Sequence, residues 1–436
     1  MSGFFNLGGV DVFRVGVIGS LFFLLIAANN LIKILRDSIF LGHHSVSELP
    51  YLYILVAFIA GAIIATYTRY TTNISIIRLI LATNVVILSN IIFFWVLLTY
   101  FDPGWSHYAF YVWSAMATVI AVAQAWTLAN QIFTPEEGKR SFGIIAAGGT
   151  VGGVAASFGV KWSIHLTAES NHLLWVIAGA YIVASLLVLW AESRLKGKSF
   201  AGEISNTETS ETAYGGGIGE FVSGSAYIKT IAVIILVSVI VSTLIDFHFK
   251  TGAKQAYPST RELAGFFSSY YGWLNVATFF AQVLLTGRIL SKLGLAPSLN
   301  LTPGALLTGS AAMIIWPGLL SAMLTRMADV ILRNSIHRSG MEIIYMAVPA
   351  SVVKGVKTFL DVVVERVGDA SAGFIILLFS LLSAERYIAY VHFICVGMIV
   401  SWFALNRFLH ASYSETLRER VVLNEASPRK NWLESD

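Results

Sequence analysis

The sequence predicts an all-α membrane protein of about twelve transmembrane helices arranged as two bundles of six. Three observations predict it. The chain has 436 residues, of which 56% are hydrophobic and only 12% charged, and its mean hydropathy of +0.71 lies far above a soluble average. Windows of about 20 residues divide it into a series of apolar runs. The longest polar segment, Glu192 to Gly219, lies midway and has a linker composition, with Thr-Glu-Thr-Ser-Glu-Thr at 207–212 and Gly215, Gly216 and Gly217 after it.

The first run, 13–40, follows Asp11 and Arg14 and shows no small-residue cleavage site before its polar end, so it stays as a helix rather than a signal peptide. Spans at 50–68, 76–100, 106–133, 141–166 and 171–192 complete the first half. The second half reads 225–250, 262–289, 296–317, 319–336, 353–381 and 385–409. Several exceed the minimum length and can tilt. The predicted organisation is an N-terminal bundle over 1–192, a cytoplasmic linker over 193–224, a C-terminal bundle over 225–411 and a cytoplasmic tail over 412–436.

Basic residues orient the chain. Arg69, Lys139, Arg140, Arg194, Lys196, Lys198, Arg288, Lys292, Arg338, Arg407, Arg418, Arg420, Arg429 and Lys430 fall on one side, which reads as cytoplasm. The opposite loops hold far fewer, chiefly Lys254, Arg261 and Arg386. Both termini are then cytoplasmic. The formal charge of +4 and pI near 9.0 express this bias rather than a nucleic-acid partner. The one cysteine, Cys395, excludes an intrachain disulfide, a Cys-based zinc site and a redox pair.

Charge inside the apolar runs carries the functional signal. Asn29, Lys33 and Asp37 recur at i, i+4, i+8, with Asn30 and Arg36 on the flank of the same face. Ser238, Ser242, Asp246 and Lys250 form a second stripe, and Lys354, Thr358, Asp361, Glu365 and Asp369 a third. An ionisable group at bilayer depth normally faces an interior cavity and a partner. Three stripes predict one polar cavity, the sign of a transporter. A membrane enzyme is disfavoured by the lack of a catalytic constellation at usable spacing, and a scaffold by the buried charge.

Two six-helix bundles with both termini inside follow the plan of the major facilitator superfamily, whose halves are parallel repeats. Weak internal symmetry agrees: spans 1 and 7 both end in acid–base clusters, and spans 5 and 11 begin with Pro135, Arg140-Ser141-Phe142 and with Pro349, Lys357-Thr358-Phe359. Gly148, Gly149, Gly152 and Gly153 form small faces for close helix approach. They are no nucleotide loop, because Gly138-Lys139-Arg140-Ser141 lacks the first glycine and the preceding strand.

Three ordered motifs carry a resemblance. Phe133-Thr-Pro-Glu-Glu-Gly-Lys-Arg-Ser-Phe142, Asp246-Phe-His-Phe-Lys250 with Lys254, Tyr257 and Pro258, and Arg333-Asn-Ser-Ile-His-Arg338 running into Lys357-Thr-Phe-Leu-Asp361 resemble the ATP:ADP antiporter family of plastids and intracellular bacteria. The similarity covers about residues 15 to 409. It implies nucleotide exchange by alternating access in a bacterial inner membrane, with no cofactor. It also implies transport roles for Lys33 or Arg36, for Glu136 or Glu137, for Asp246 and for Lys357. Two departures stand out: Asp246 occupies a position where the exchangers are expected to have Glu, and the chain is short for the family. The residues alone leave open a proton-coupled carrier of another anion or amphiphile.

The expected substrate-contacting set is Lys33, Arg36, Asp37, Asp246, Lys250, Arg333, Lys357 and Asp361, with Glu137, Asp329, Glu365 and Asp369 in coupling or gating. Lys and Arg suit polyphosphate, while the interleaved carboxylates predict ion pairs that substrate must displace. The expected partners are an anionic small molecule and the lipid bilayer. Gln124, Thr127 and Gln131 share a helix face, explained by interhelical hydrogen bonding as well as by ligand contact. His43 and His44, beside Glu48, lack a third spaced ligand in the sequence, so no metal is expected.

Overall fold

The computed structural model describes residues 12–71, 74–163, 170–195, 225–348, 350–382 and 387–426. They are helical throughout and contain no strand. The first half comprises α1 (Val12–His43), α2 (Leu49–Thr71), α3 (Ile76–Val96, extended by a π-helical turn at Leu97–Phe101), α4 (Gly104–Ile132), α5 (Pro135–Ser163) and α6 (Leu173–Leu195). The second begins with α7 (Ala226–Ala256), α8 (Thr260–Phe280, a π turn at Ala281–Leu285, then Thr286–Leu293) and α9 (Leu295–Ile315). Next come α10 (Leu319–Leu332, a π turn at Arg333–His337, then Arg338–Tyr345) and α11 (Ala350–Phe359, a π turn at Leu360–Val364, then Glu365–Leu382). α12 (Tyr387–Ala426) completes the set and runs on well past the predicted start of the tail.

Ten of these helices are long and apolar enough to cross a membrane. The two that are not, α10 and α11, are those that carry the dense charge, Arg326, Asp329 and Arg333 on one and Lys354, Lys357, Asp361, Glu365 and Asp369 on the other. Their length and place in the bundle complete the predicted twelve. The central linker, 193–224, falls almost wholly outside the described residues.

Helix ends follow local chemistry. Ser259 accepts from the backbone N–H of Glu262 while Glu262 reaches back to Ser259, a capping box that starts α8. Ser225 caps α7 in the same sense. Between α1 and α2, Ser45 and Glu48 make a second capping box around a short 3-10 turn.

The packing repeats. In the first half α1 lies against α4, α5 and α6; in the second α7 lies against α10, α11 and α12. The flanking contacts match too, α3 with α4 and α6 corresponding to α9 with α10 and α12. These two helices form the centre: 50% of the most apolar window of α1 and 67% of that of α7 are buried, against 17–44% in the other eight. The halves meet where α8 lies against α1 and α5, where α2 lies against α11, and between α1 and α7.

The glycines of α5 serve packing, as expected. A Cβ at Gly152 would collide with the carbonyl of Phe23, and one at Gly148 would come 3.0 Å from that of Gly19, so α1 and α5 touch backbone to backbone. Gln124 donates from Nε2 to Thr83 Oγ1 at 2.8 Å, an interhelical bond. Cys395 is fully buried.

Candidate functional site: an ion ladder beside a polar cavity

The i, i+4 spacing of Asp246 and Lys250 on α7, and the i, i+3 and i, i+7 spacing of Arg326, Asp329 and Arg333 on α10, line each helix with alternating charge. The fold brings these rows together with the end of α1. Arg36 pairs with Asp37 at 3.0 Å, Asp37 with Lys250 Nζ at 3.4 Å, and Lys250 with Asp246 at 2.9 Å. Asp246 then meets Arg326 at 3.0 Å, Arg326 meets Asp329 at 2.6 Å, and Asp329 meets Arg333 at 3.1 Å. Seven side chains thus form one ladder, cation and anion alternating, with a cation at each end.

Only one rung, Asp37 with Lys250, crosses between the halves. Both are almost fully buried, where an unmatched charge is costly. Three tyrosines reinforce this seam. Tyr271 on α8 donates to Asp37 at 2.9 Å, Tyr53 on α2 donates to Asp246 at 3.2 Å, and Lys250 donates to the hydroxyl of Tyr111 on α4 at 3.3 Å. Each bond joins one half to the other. Deeper in the second half, Ser242 donates to Asp329 at 2.6 Å, and Arg333 donates to the carbonyl of Ser238 at 2.7 Å. Residues 238, 242, 246 and 250 therefore work as one face, as their spacing predicts.

Lys33 stands apart. Among the described residues no carboxylate lies within 4 Å of it, and its ammonium sits over the ring of Tyr271, 4.2 Å from the centroid. Arg36 lies likewise over Tyr111, at 4.5 Å. Both line an open cavity of about 290 Å³ with Ile26, Asn29, Asn30, Thr118 and Asn275. Two buried polar atoms at this cavity, Asn29 Oδ1 and Asn275 Nδ2, have no hydrogen-bond partner. Such groups are normally satisfied, so the cavity offers an acceptor and a donor beside two cations. The ladder seals the end where α1 and α7 finish, and the cavity lies inward of it along α1.

The expected residues do not all converge. Lys357 pairs with Glu342 at 2.5 Å, and Asp361 accepts from Tyr345 at 3.4 Å, at the other end of α10 and α11. Asp369 accepts from Thr243 at 2.9 Å and pairs with Arg366 at 2.9 Å. Glu365 has Arg366 at 4.0 Å. Glu137 is remote from the ladder, joining Arg14 at 2.7 Å and accepting from the backbone N–H of Thr134 at 3.0 Å, which together hold its carboxyl below the usual range. The side chains of Glu136, Lys354 and Thr358 lie outside the described residues.

The tyrosines, Thr118 and Asn275 were not legible as site residues. Aromatic and small polar groups in an apolar span have many structural uses, and only the packing of α2, α4 and α8 turns these toward the charge. One neighbourhood lies beyond sequence reading: Asp102 and His107, distant in the chain, come within 4.8 Å of His43.

The fold and sequence have known counterparts. A bacterial homologue of the iron transporter ferroportin, solved in an inward-facing state, superposes with a TM-score of 0.63 at 11% identity, over 92% of this chain and 99% of that one. The nucleoside transporter NupG gives 0.61 at 12% identity, over 91% and 99%. These likenesses concern the fold, the major facilitator-like arrangement of six and six. The chain is 23% identical to ADP,ATP carrier protein 2, chloroplastic, of Arabidopsis thaliana over 368 residues, 74% of this chain but 57% of that protein. It is 24% identical to ADP,ATP carrier protein 1 of Chlamydia pneumoniae over 376 residues, 74% of this chain and 71% of that one. Residues 51–336, well over half the chain and including α7, α8 and most of the ladder, match the family model described as TLC ATP/ADP transporter. By that match the chain belongs to the TLC ATP/ADP transporter family.

Proposed function

We propose that the protein exchanges nucleotides of the ATP and ADP type across a bacterial inner membrane, by alternating opening of the two halves around the cavity at Lys33. The observation that carries this reading is the charge arrangement. The ladder holds four cations against three carboxylates, and Lys33 adds a fifth cation with no carboxylate within 4 Å among the described residues. Polyphosphate entering from the cavity meets Lys33 and Arg36 first. It then competes with Asp37 for Arg36 and, as a polyanion beside the seam, draws Lys250 as well, which loosens the one rung that joins the halves. The cavity is near the lower end of the roughly 300–1,000 Å³ of small-molecule sites, so it suits the phosphate end of a nucleotide, with Asn29, Asn30 and Asn275 as neutral contacts.

Asp329 and Asp369 act as carboxylates that exchange cation partners as the halves rock, with Glu365 beside them and Glu137 latching α5 to the start of α1. Lys357 and Asp361 form an entry or exit station at the other end of the second half. With the arginine-rich loops in the cytoplasm, both termini are cytoplasmic, the bundles divide at the 193–224 linker, and the sealed seam faces outward.

In proteoliposomes, labelled ATP or ADP should accumulate only when unlabelled nucleotide is inside, because the substrate-bound state is the one that reorients. Uptake into empty vesicles driven by a pH gradient would instead indicate proton coupling. Absence of nucleotide uptake under both conditions would overturn the substrate assignment and leave the fold untouched. Topology is tested separately: cysteines placed in 205–215 and in the C-terminal tail should resist an impermeant thiol reagent in intact cells. Reaction of either would reverse the orientation.

A further inference from the structure

From the geometry at the sealed end of the first half we infer a binding site for a divalent transition-metal ion of the Zn²⁺ class, held by His43 Nε2, His107 Nε2 and the carboxylate of Asp102. His43 is the last residue of α1, while Asp102 and His107 sit on the turn from α3 into α4 and on the first turns of α4. The three donor groups lie within 4.8 Å of one another. Asp102 Oδ1 is 2.8 Å from His107 Nε2, and Oδ2 is 3.9 Å from His43 Nε2. A tetrahedral ion with bonds of about 2.0–2.1 Å needs donors roughly 3.3–3.4 Å apart. The separations, measured to the two oxygens of Asp102, straddle that value, and because the two imidazole planes lie 20° apart one ring must turn about its Cβ–Cγ bond to bring both Nε2 lone pairs onto one ion.

The hydrogen-bond network supplies an independent reason. The Nδ1 of His43 lies 2.9 Å from the carbonyl of Ile39, which can only accept, so Nδ1 carries the hydrogen and a neutral ring presents a bare Nε2 to Asp102. His44 continues the chain of contacts, with its Nδ1 3.2 Å from a Glu48 carboxylate oxygen and its Nε2 3.0 Å from His107 Nδ1. In the metal-free chain the Nε2 of His107 shares a hydrogen with Asp102 Oδ1 at 2.8 Å. An incoming cation would displace that proton and take its place between the ring and the carboxylate, while Nδ1 keeps its contact with His44.

The site lies at the surface, with His43 and Asp102 exposed and His107 buried, and neighbouring groups hold its ligands. The second nitrogen of each ligating histidine is engaged, by Ile39 and by His44, which fixes the tautomer. The ring of His107, 3% exposed, stacks on that of His43 at 4.3 Å between centroids. Asp102 is the one described non-glycine residue at positive φ, +42°, held by its N–H to Leu97 O at 2.7 Å. Tyr108 donates to Glu48, closing the outer shell. Two protein nitrogens and one carboxylate leave a position open for water. Because the carbonyl of neighbouring Gly42 accepts from Lys254 in the other half at 3.4 Å, the ion would stiffen the wall against which the seam closes.

The test is titration of Zn²⁺ into the purified, tag-free full chain, by calorimetry and by competition with a chromophoric chelator, with Co²⁺ as a spectroscopic probe. One equivalent should bind, and Co²⁺ should show the intense visible bands of a four-coordinate site. His43→Ala and Asp102→Asn should each weaken binding more than about 100-fold, and His44→Gln about 10–100-fold through the lost support. Thermal melts without metal establish that the variants fold, and Asp102→Asn keeps the shape of the turn should His107→Ala fail to fold. No saturable binding to the wild type, or unchanged affinity in folded His43→Ala or Asp102→Asn, would overturn the site. A cluster that takes up only protons would do the same.

Discussion

Replacing Lys250 by Gln should abolish exchange and lower stability by about 3–5 kcal/mol, the usual cost of breaking a buried ion pair from one side. Lys250 is 2% exposed and separates two carboxylates, Asp37 in one half and Asp246 in the other. Without it these face each other across the seam with only Arg36 and Arg326 at their outer sides. The companion variant Asp246→Asn on the Lys250→Gln background leaves every remaining cation of the ladder beside a carboxylate, Arg36 with Asp37 and Arg326 and Arg333 with Asp329. It should regain at least about 1 kcal/mol relative to the sum of the single variants, within the range of coupled neighbours, yet stay inactive because no ion pair then joins the halves. Thermal unfolding in detergent and counter-exchange in vesicles read the two effects separately. Additive losses, or a single variant that exchanges nucleotide normally, would count against the ladder as a gate.

Lys33→Gln should behave in the opposite way. Lys33 has Tyr271 beneath its ammonium and no carboxylate within 4 Å among the described residues, so its removal costs the fold about 1 kcal/mol, the worth of a cation–π contact. Exchange should nevertheless fall by roughly 10–100-fold, the equivalent of one charged hydrogen bond to phosphate. Thermal stabilisation by added ADP should shrink with it, and Lys33→Arg should restore part of both. A Lys33→Gln protein that is badly destabilised would make this residue a structural one. A stable variant with normal exchange would remove it from the substrate path.

The two outcomes separate residues that look alike in the sequence. Lys33, Arg36, Asp37, Asp246 and Lys250 are all charges near the end of an apolar span, and the spacing alone places each group on one helix face. That much follows from 3.6 residues per turn and from the cost of charge in lipid. Which cation meets which anion does not follow. Asp246 pairs with Lys250 and Arg326, not with Lys33, because α10 brings Arg326 alongside α7 while Lys33 sits one turn deeper on α1 than Asp37.

The sequence by itself determined the helical class, the near positions of twelve spans, the polar stripes on α1 and α7 and the packing role of the α5 glycines. All of these depend on local periodicity and on solvent preference, which a single segment expresses without its neighbours. Tertiary structure alone decided the order of the ladder, the tyrosines that cross the seam and the separation of Lys357 and Asp361 from the other charges. It also decided the meeting of His43 with Asp102 and His107. Each of these joins residues tens to hundreds of positions apart, through side chains whose type suits many roles. Their contacts are fixed only when α1 and α7 are enclosed by their partners and each buried charge must find the opposite charge that the packing leaves within reach.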